Sequence, residues 1–282
     1  MSPDTAADTE VRPDRAWPMP DAGASPGHGQ AAGTGSDAIA APIASPAFAT
    51  YRRLLLEWNT RFNLTAITDP AEVDRRLIAD ALRMLPAVDT FCPPSPPAGM
   101  RSPSPPRRLA ASPPCRLIDI GAGAGFPGLP LKLARPELDV TLVEATGKKV
   151  SFLQQVIREL GLVGVEALHT RAEDLGHNPA FRGQYDLATA RAVASLPALL
   201  ELCVPFLRMG GHALFPKGAE IGEELARAGR AAPLVGARIV SADRLPGSDT
   251  RLVIVEKTGP TPTRYPRRAG IPAREPLGSI AR

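Results

Sequence analysis

A short apolar run that ends in three alternating glycines constrains this chain more than any other stretch. Leu117, Ile118 and Ile120 read as a buried strand, and Gly121, Gly123 and Gly125 follow it directly. Glycine takes up positive φ freely and lets a backbone come close to a ligand. Phe126 to Ala134 reads as a helix, so the unit is strand, glycine loop, helix. Such a unit aims backbone N–H groups and a helix N-terminus at something polar. It builds the crevice at the carboxyl end of the first strand of an α/β sheet. A glycine-rich turn that binds nothing is the plain alternative. The density of glycine right after an apolar strand speaks against it.

Two frames fit the loop. Gly123-x-Gly125-x-x-Gly128 matches the dinucleotide fingerprint, a weak signal on its own. Asp119-x-Gly121-x-Gly123-x-Gly125 places a carboxylate two residues before the first glycine. It resembles the first motif of S-adenosylmethionine-dependent methyltransferases. The cofactor implied there carries an ammonium, a sulfonium and no pyrophosphate, so an acid near the loop makes electrostatic sense. Pro127 also removes an N–H from the first helical turn, where a pyrophosphate would want donors. The second frame is preferred.

Downstream, strand-like and helix-like stretches alternate. Strands are expected at 116–120, 138–143, 165–168, 185–190 and 211–215, with helices between them. Two further strands, Arg238 to Ala242 and Arg251 to Glu256, suit a closing hairpin. Alternation of this kind predicts a doubly wound, mostly parallel α/β sheet. The hairpin is similar to the antiparallel edge pair of class I methyltransferases, which are Rossmann-like. Upstream, Phe48, Tyr51, Leu55, Trp58 and Phe62 recur at helical spacing. A second helix is expected from Pro70, capped by Asp69 and stopped by Pro86. These two predict an N-terminal helical cap over 47–91, packed on a methyltransferase domain at 115–258.

The 32 prolines of the 282 residues are too many for one compact fold, and they cluster. Residues 1–46 read as a disordered tail. Residues 92–114 carry nine prolines with Arg101, Arg107 and Arg108 and read as a low-complexity insert. Residues 259–282 read as a basic tail, suited either to phosphate contact or to solvent. The net charge of +4 points only weakly to a polyanionic partner. Cys92, Cys115 and Cys203 are odd in number and far apart, which suggests a reducing compartment and no structural metal. The four histidines, 28, 169, 177 and 212, make no metal spacing. No apolar run approaches the ~20 residues of a membrane span. No basic region precedes an apolar core at the N-terminus, so no secretory signal is expected. The expected location is the cytoplasm.

Three places beyond the glycine loop carry candidate chemistry. Glu144 closes the second strand roughly 20 residues after the glycine loop, the spacing of a ribose-binding carboxylate. Ala172-Glu173 follows the third strand and would border an adenine. A helix-start acid is an equally good reading of Glu173. Arg191 closes the fourth strand at the sheet centre, facing the crevice. An arginine in so small and apolar a run needs a partner, either a ligand or a neighbouring acid.

The whole pattern resembles one family, the small-subunit ribosomal RNA methyltransferase G family, also called glucose-inhibited division protein B. The matching stretches are Trp58-Asn59, Asn63-Leu64-Thr65, Leu117 to Pro130, Gly147-Lys-Lys-Val-x-Phe-Leu153, Arg171-Ala-Glu-Asp174, Arg191-Ala-Val-Ala194, Lys217-Gly218 and Arg264 to Pro272. They span about residues 47–274 apart from the insert. The resemblance implies methylation of a guanine N7 in 16S ribosomal RNA, with S-adenosylmethionine as donor and the small subunit as partner. It carries cofactor contact onto Gly121, Phe126, Ala172, Glu173 and Arg191, beside Gly123 and Glu144 from the loop itself. Where the family reads Arg-His-x-x-Asp-Ser, this chain has Arg76-Leu77-Ile-Ala-Asp80-Ala81. Leu77 stands in place of the histidine, which puts an essential proton-transfer role for that histidine in doubt. Arg191 and Asp80 are the candidate catalytic residues. Arg76, Lys148, Lys149, Arg267 and Arg268 are candidate RNA contacts. No metal and no membrane are expected, and a monomer is. The rival readings are a methyltransferase for a small molecule and a non-catalytic ribosome-binding module; a nicotinamide-dependent dehydrogenase is more distant.

Overall fold

The computed structural model describes residues 37–94 and 113–278. The first of these segments is helical. It comprises α1 (Asp37–Ile43), α2 (Pro46–Asn59), α3 (Pro70–Glu72), a wide π turn (Val73–Ile78), α4 (Ala79–Leu82) and α5 (Leu85–Phe91). In α2, Phe48, Tyr51, Leu54 and Leu55 are buried, so the three-and-four spacing does mark its core face. Asp69 caps α3 by accepting the Glu72 N–H at 2.9 Å. In the π turn the Ala79 N–H reaches the Asp74 carbonyl, five residues back.

The second segment alternates strand and helix up to a closing hairpin. Its order is β1 (Arg116–Ile120), α6 (Gly128–Ala134), β2 (Asp139–Glu144), α7 (Gly147–Glu159), β3 (Val165–His169), α8 (Ala172–Leu175), β4 (Tyr185–Thr189), α9 (Leu196–Cys203), β5 (Leu207–Lys217), α10 (Gly222–Ala231), β6 (Ala237–Arg244), β7 (Arg251–Lys257) and α11 (Ile271–Arg274). The strands form one sheet in the order β3-β2-β1-β4-β5-β7-β6. The first five pair in parallel, and β7 runs antiparallel to both β5 and β6. This is the doubly wound sheet with an antiparallel edge hairpin that the alternation predicts. Strands β1, β2 and β4 are buried along nearly their whole length, as expected of a parallel sheet covered on both faces. Every residue of α9 is buried.

Four local expectations need correction. α1 lies inside the stretch read as a disordered tail. It is alanine-rich, which favours helix, and it packs beside α2 and α4; the rest of that tail, residues 1–36, lies outside the described residues. Pro86 does not stop a helix but sits in the first turn of α5, where its missing N–H is harmless. The cysteine spacing misled. Cys92, after α5, and Cys115, before β1, are joined as a disulfide with Cα atoms 5.8 Å apart. The proline-rich insert leaves and returns at one place, although 95–112 lie outside the described residues. Only Cys203 is free, and it is buried, so the spacing no longer argues for a reducing compartment.

The C-terminal segment is not a solvated tail over its described length. Arg182 donates to the carbonyls of Thr261, Pro262 and Tyr265. Arg267 forms a two-pronged ion pair with Glu201, whose side chain is fully buried. These contacts hold the segment along α8 and α9. No helix among the described residues is long and apolar enough to cross a membrane.

Candidate active site

The glycine loop follows β1 at the carboxyl end of the parallel strands, and Gly121, Gly123 and Gly125 all have positive φ. At Gly125 this is enforced by packing as well. A Cβ there would lie 2.4 Å from Leu129 Cδ1 and 3.1 Å from the Tyr51 hydroxyl. Above Gly123 there is room: the nearest atom to a Cβ would be the Gly121 carbonyl oxygen at 3.8 Å. Glu144 ends β2 beside the loop. Its Oε2 accepts the Gly123 N–H at 3.0 Å and its Oε1 accepts the Thr146 N–H at 2.8 Å. Strand register thus brings the loop and the candidate ribose-binding carboxylate together.

Asp119 lies beneath the loop with no exposed surface. Its Oδ2 accepts the Gly128 N–H at 2.9 Å, while its Oδ1 is buried without a hydrogen-bond partner. Burial pushes the Asp119 carboxyl up to about 7. The Gly128 N–H and the Arg191 charge pull it back, and Glu144 pushes with burial. Gly128 itself has no room for a side chain, since a Cβ would fall 2.7 Å from Leu142 Cδ2 and 2.8 Å from Asp119 Oδ2.

The helical cap is fastened to this loop. The Tyr51 hydroxyl donates to the Ala124 carbonyl, and its ring lies 5.4 Å from that of Phe126. In the sequence Tyr51 reads as one of the apolar core residues, and the role of its hydroxyl is not evident there. A tyrosine within an otherwise apolar stripe was the available signal, because a buried phenol needs a partner.

Arg191 leaves β4 and reaches the cap. It donates to the Arg76 carbonyl at 2.8 Å and the Leu77 carbonyl at 3.4 Å. Its partners are therefore two backbone oxygens rather than the acid considered from sequence. Leu77 buries its side chain and offers this carbonyl. Ala192, next in the chain, holds φ 55°, the left-handed region, without being glycine. Such strain clusters at functional sites. Arg191 and Ala192 line a pocket of about 220 Å³ together with Asp80, Pro127, Lys217 and Thr250. Pro127 belongs to the glycine-loop turn, so this pocket adjoins the loop.

Asp80 is fixed on three sides. Its Oδ1 accepts from Arg83 at 3.0 Å and from the Ser248 hydroxyl at 2.8 Å, and its Oδ2 accepts from the Thr250 hydroxyl at 3.0 Å. Ser248 and Thr250 stand on the β6–β7 turn, more than 160 residues away in sequence. Their turn-like surroundings hid this role. Lys217, at the end of β5, pairs with Glu224 at 2.8 Å.

The remaining candidates are dispersed. Glu173 accepts the Gly270 N–H at 2.8 Å and so faces the C-terminal segment. Ala172 is buried in the apolar core. Lys148 and Lys149 open α7, with the Lys148 ammonium 5.1 Å from the Phe62 ring centre. The Arg76 side chain is largely exposed. Arg267 is committed to Glu201, and Arg268 lines a separate cavity with Glu173, Asp174 and His177.

Residues 108–251 match the family described as rRNA small subunit methyltransferase G. A protein of Chloroflexus aggregans named ribosomal RNA small subunit methyltransferase G is 45% identical over 242 residues, covering 84% of this chain and 92% of that protein. A protein of the same name from Roseiflexus sp. is 45% identical over 233 residues, covering 82% and 90%. One from Streptococcus pyogenes serotype M12 is 42% identical over 233 residues, with the same coverage.

Proposed function

The chain belongs to the ribosomal RNA small subunit methyltransferase G family, and from that premise we propose that it methylates N7 of a guanine in 16S ribosomal RNA. The observation that carries the reading is the adjacency of two sites. A strand-end glycine loop with its acid adjoins a pocket walled by Asp80, Arg191 and Lys217. S-adenosylmethionine, the donor implied by the family, would supply an electrophilic methyl group. The residues fit it: the buried Oδ1 of Asp119 lacks a donor, and the space above Gly123 is open. Gly121, Gly123, Phe126, Glu144, Ala172 and Arg191 are the residues assigned to hold it. Glu173 is assigned there too, through its helix, although its carboxylate is engaged by Gly270.

The demands on the protein are modest. Guanine N7 holds a lone pair and no proton, so no general base is needed. Catalysis then rests on alignment of nucleophile and methyl group. The purine gains positive charge as it reacts; Asp80 is the carboxylate lining the pocket, its charge shared with Arg83 at 3.0 Å. The alternative role for Arg191, in place of cofactor contact, is donation to guanine O6, the acceptor beside N7. The target base must leave its stack, because side chains cannot read the deep A-form groove. Arg76, Lys148, Lys149 and Arg268 are assigned to phosphates. Arg267, also named as a candidate from sequence, gives both its guanidinium and its backbone N–H to Glu201. The protein is read as acting as a monomer in the cytoplasm on the RNA of the small subunit.

The test is complementation. A bacterial strain stripped of its own family member lacks one 7-methylguanosine in its 16S RNA. Expression of this chain should restore that nucleoside, and expression of the Asp80→Asn variant should restore little of it. No restoration by the wild-type chain would contradict the proposal.

A further inference from the structure

A second cleft, of about 900 Å³, opens from the same pocket and shares Asp80, Arg191 and Thr250 with it. One wall is the π turn and α4, carrying Arg75, Arg76 and Arg83. The other is the β6–β7 hairpin, carrying Arg244 and the turn from Leu245 to Thr250. Five arginines therefore face a single cleft. The acids lining it are Asp80, already saturated by Arg83, Ser248 and Thr250, and Asp249, whose side chain is 91% exposed and stands 3.4 Å from Arg244. The walls are tied together, since Arg83 Nε donates to the Pro246 carbonyl at 3.0 Å while its Nη1 holds Asp80. Arg75 and Arg244 keep exposed guanidinium groups, with side chains 68% and 57% accessible. Their visible partners are surface acids, and such pairs are weak and easily exchanged. A guanidinium fork matches a phosphate in the same two-pronged way as a carboxylate.

We propose that this cleft between the π turn and the hairpin is the track for the RNA backbone on either side of the target nucleotide, with Arg75 and Arg244 as its phosphate contacts. The inference rests on the reading of the chain as an RNA methyltransferase. It shifts the phosphate-binding surface away from the basic C-terminal segment, where Glu201 has taken Arg267 and where Glu173 and Asp174 line the cavity beside Arg268. A nucleotide whose base enters the pocket then leaves its neighbouring phosphates among the arginines. Arg83 is a positioning residue that sets the spacing of the two walls.

The test is the salt dependence of binding to 16S RNA by the full chain. Each lost phosphate contact makes a plot of log affinity against log salt shallower by about 0.7–0.9. Arg75→Ala/Arg244→Ala should flatten the plot by about 1.5 and weaken binding at low salt about tenfold or more. The Michaelis constant for RNA should rise with it, while kcat at saturating RNA and the affinity for S-adenosylmethionine stay at wild-type values. Arg75→Lys/Arg244→Lys should restore the slope. Arg158→Ala, which removes one exposed charge from the last turn of α7, should leave the slope unchanged. A double alanine variant that methylates RNA with an unaltered slope would overturn this inference alone. Wild-type chain that neither binds nor methylates the RNA would overturn the functional reading and the inference together.

Discussion

Asp119 is a buried carboxyl whose protonation ties stability to pH. Its folded-state value, about 7, lies above the ~3.9 of an unfolded aspartate. The native state therefore holds the proton more tightly than the unfolded chain. That contribution to stability is complete below about pH 4 and is lost as the pH rises towards about 7. A cationic ligand near the orphaned oxygen favours the ionised form and reverses the preference. Between pH 5.5 and 7, affinity for S-adenosylmethionine should tighten with rising pH, by up to about tenfold per unit. In Asp119→Asn the affinity should be weaker and this dependence flat. Calorimetric titration at three pH values reads both; an unchanged slope in the variant would remove Asp119 from cofactor binding. The motif revealed this residue plainly, since an acid two positions before a glycine loop is visible in any reading. Its orphaned oxygen and its contact with Gly128 were not visible, because they depend on how β1 and the start of α6 pack.

At the scale of elements, the strands and helices were legible because apolar runs and glycine punctuation are local signals. The attachments between them were not. Asp80 is held by a hairpin turn far along the chain, and Tyr51 by a loop 73 residues away. Arg267 sits in a basic sequence that suggests phosphate, yet its partner is Glu201 on α9, whose charge is hidden in an apolar helix sequence. Cys92 and Cys115 look unrelated until α5 and β1 bring them together. The Arg267–Glu201 pair has a direct consequence. Arg267→Ala leaves the buried Glu201 charge with only the backbone N–H of residue 267, which should destabilise the fold by about 3 kcal/mol. Replacement of both by leucine should recover most of that loss. Urea denaturation of the two variants measures it. A single variant as stable as wild type would show that the C-terminal segment is not held by this pair.

At the scale of the whole molecule, the sheet order explains where the chemistry sits. β1 and β4 lie at the centre with their carboxyl ends side by side, so the glycine loop and Arg191 meet at one crevice. The helical cap closes that crevice through Tyr51 and Asp80, and the antiparallel hairpin, from the sheet's far edge, completes the pocket with Thr250. The chain thus builds one site from its beginning, middle and end. The most direct measurement is methyl transfer in vitro. Purified chain is incubated with methyl-labelled S-adenosylmethionine and unmethylated small subunits or naked 16S RNA, and the RNA is digested to nucleosides. Label is expected in 7-methylguanosine alone, at about one methyl group per RNA. Label in another nucleoside, or cofactor binding with no transfer to either RNA, would contradict the proposed function.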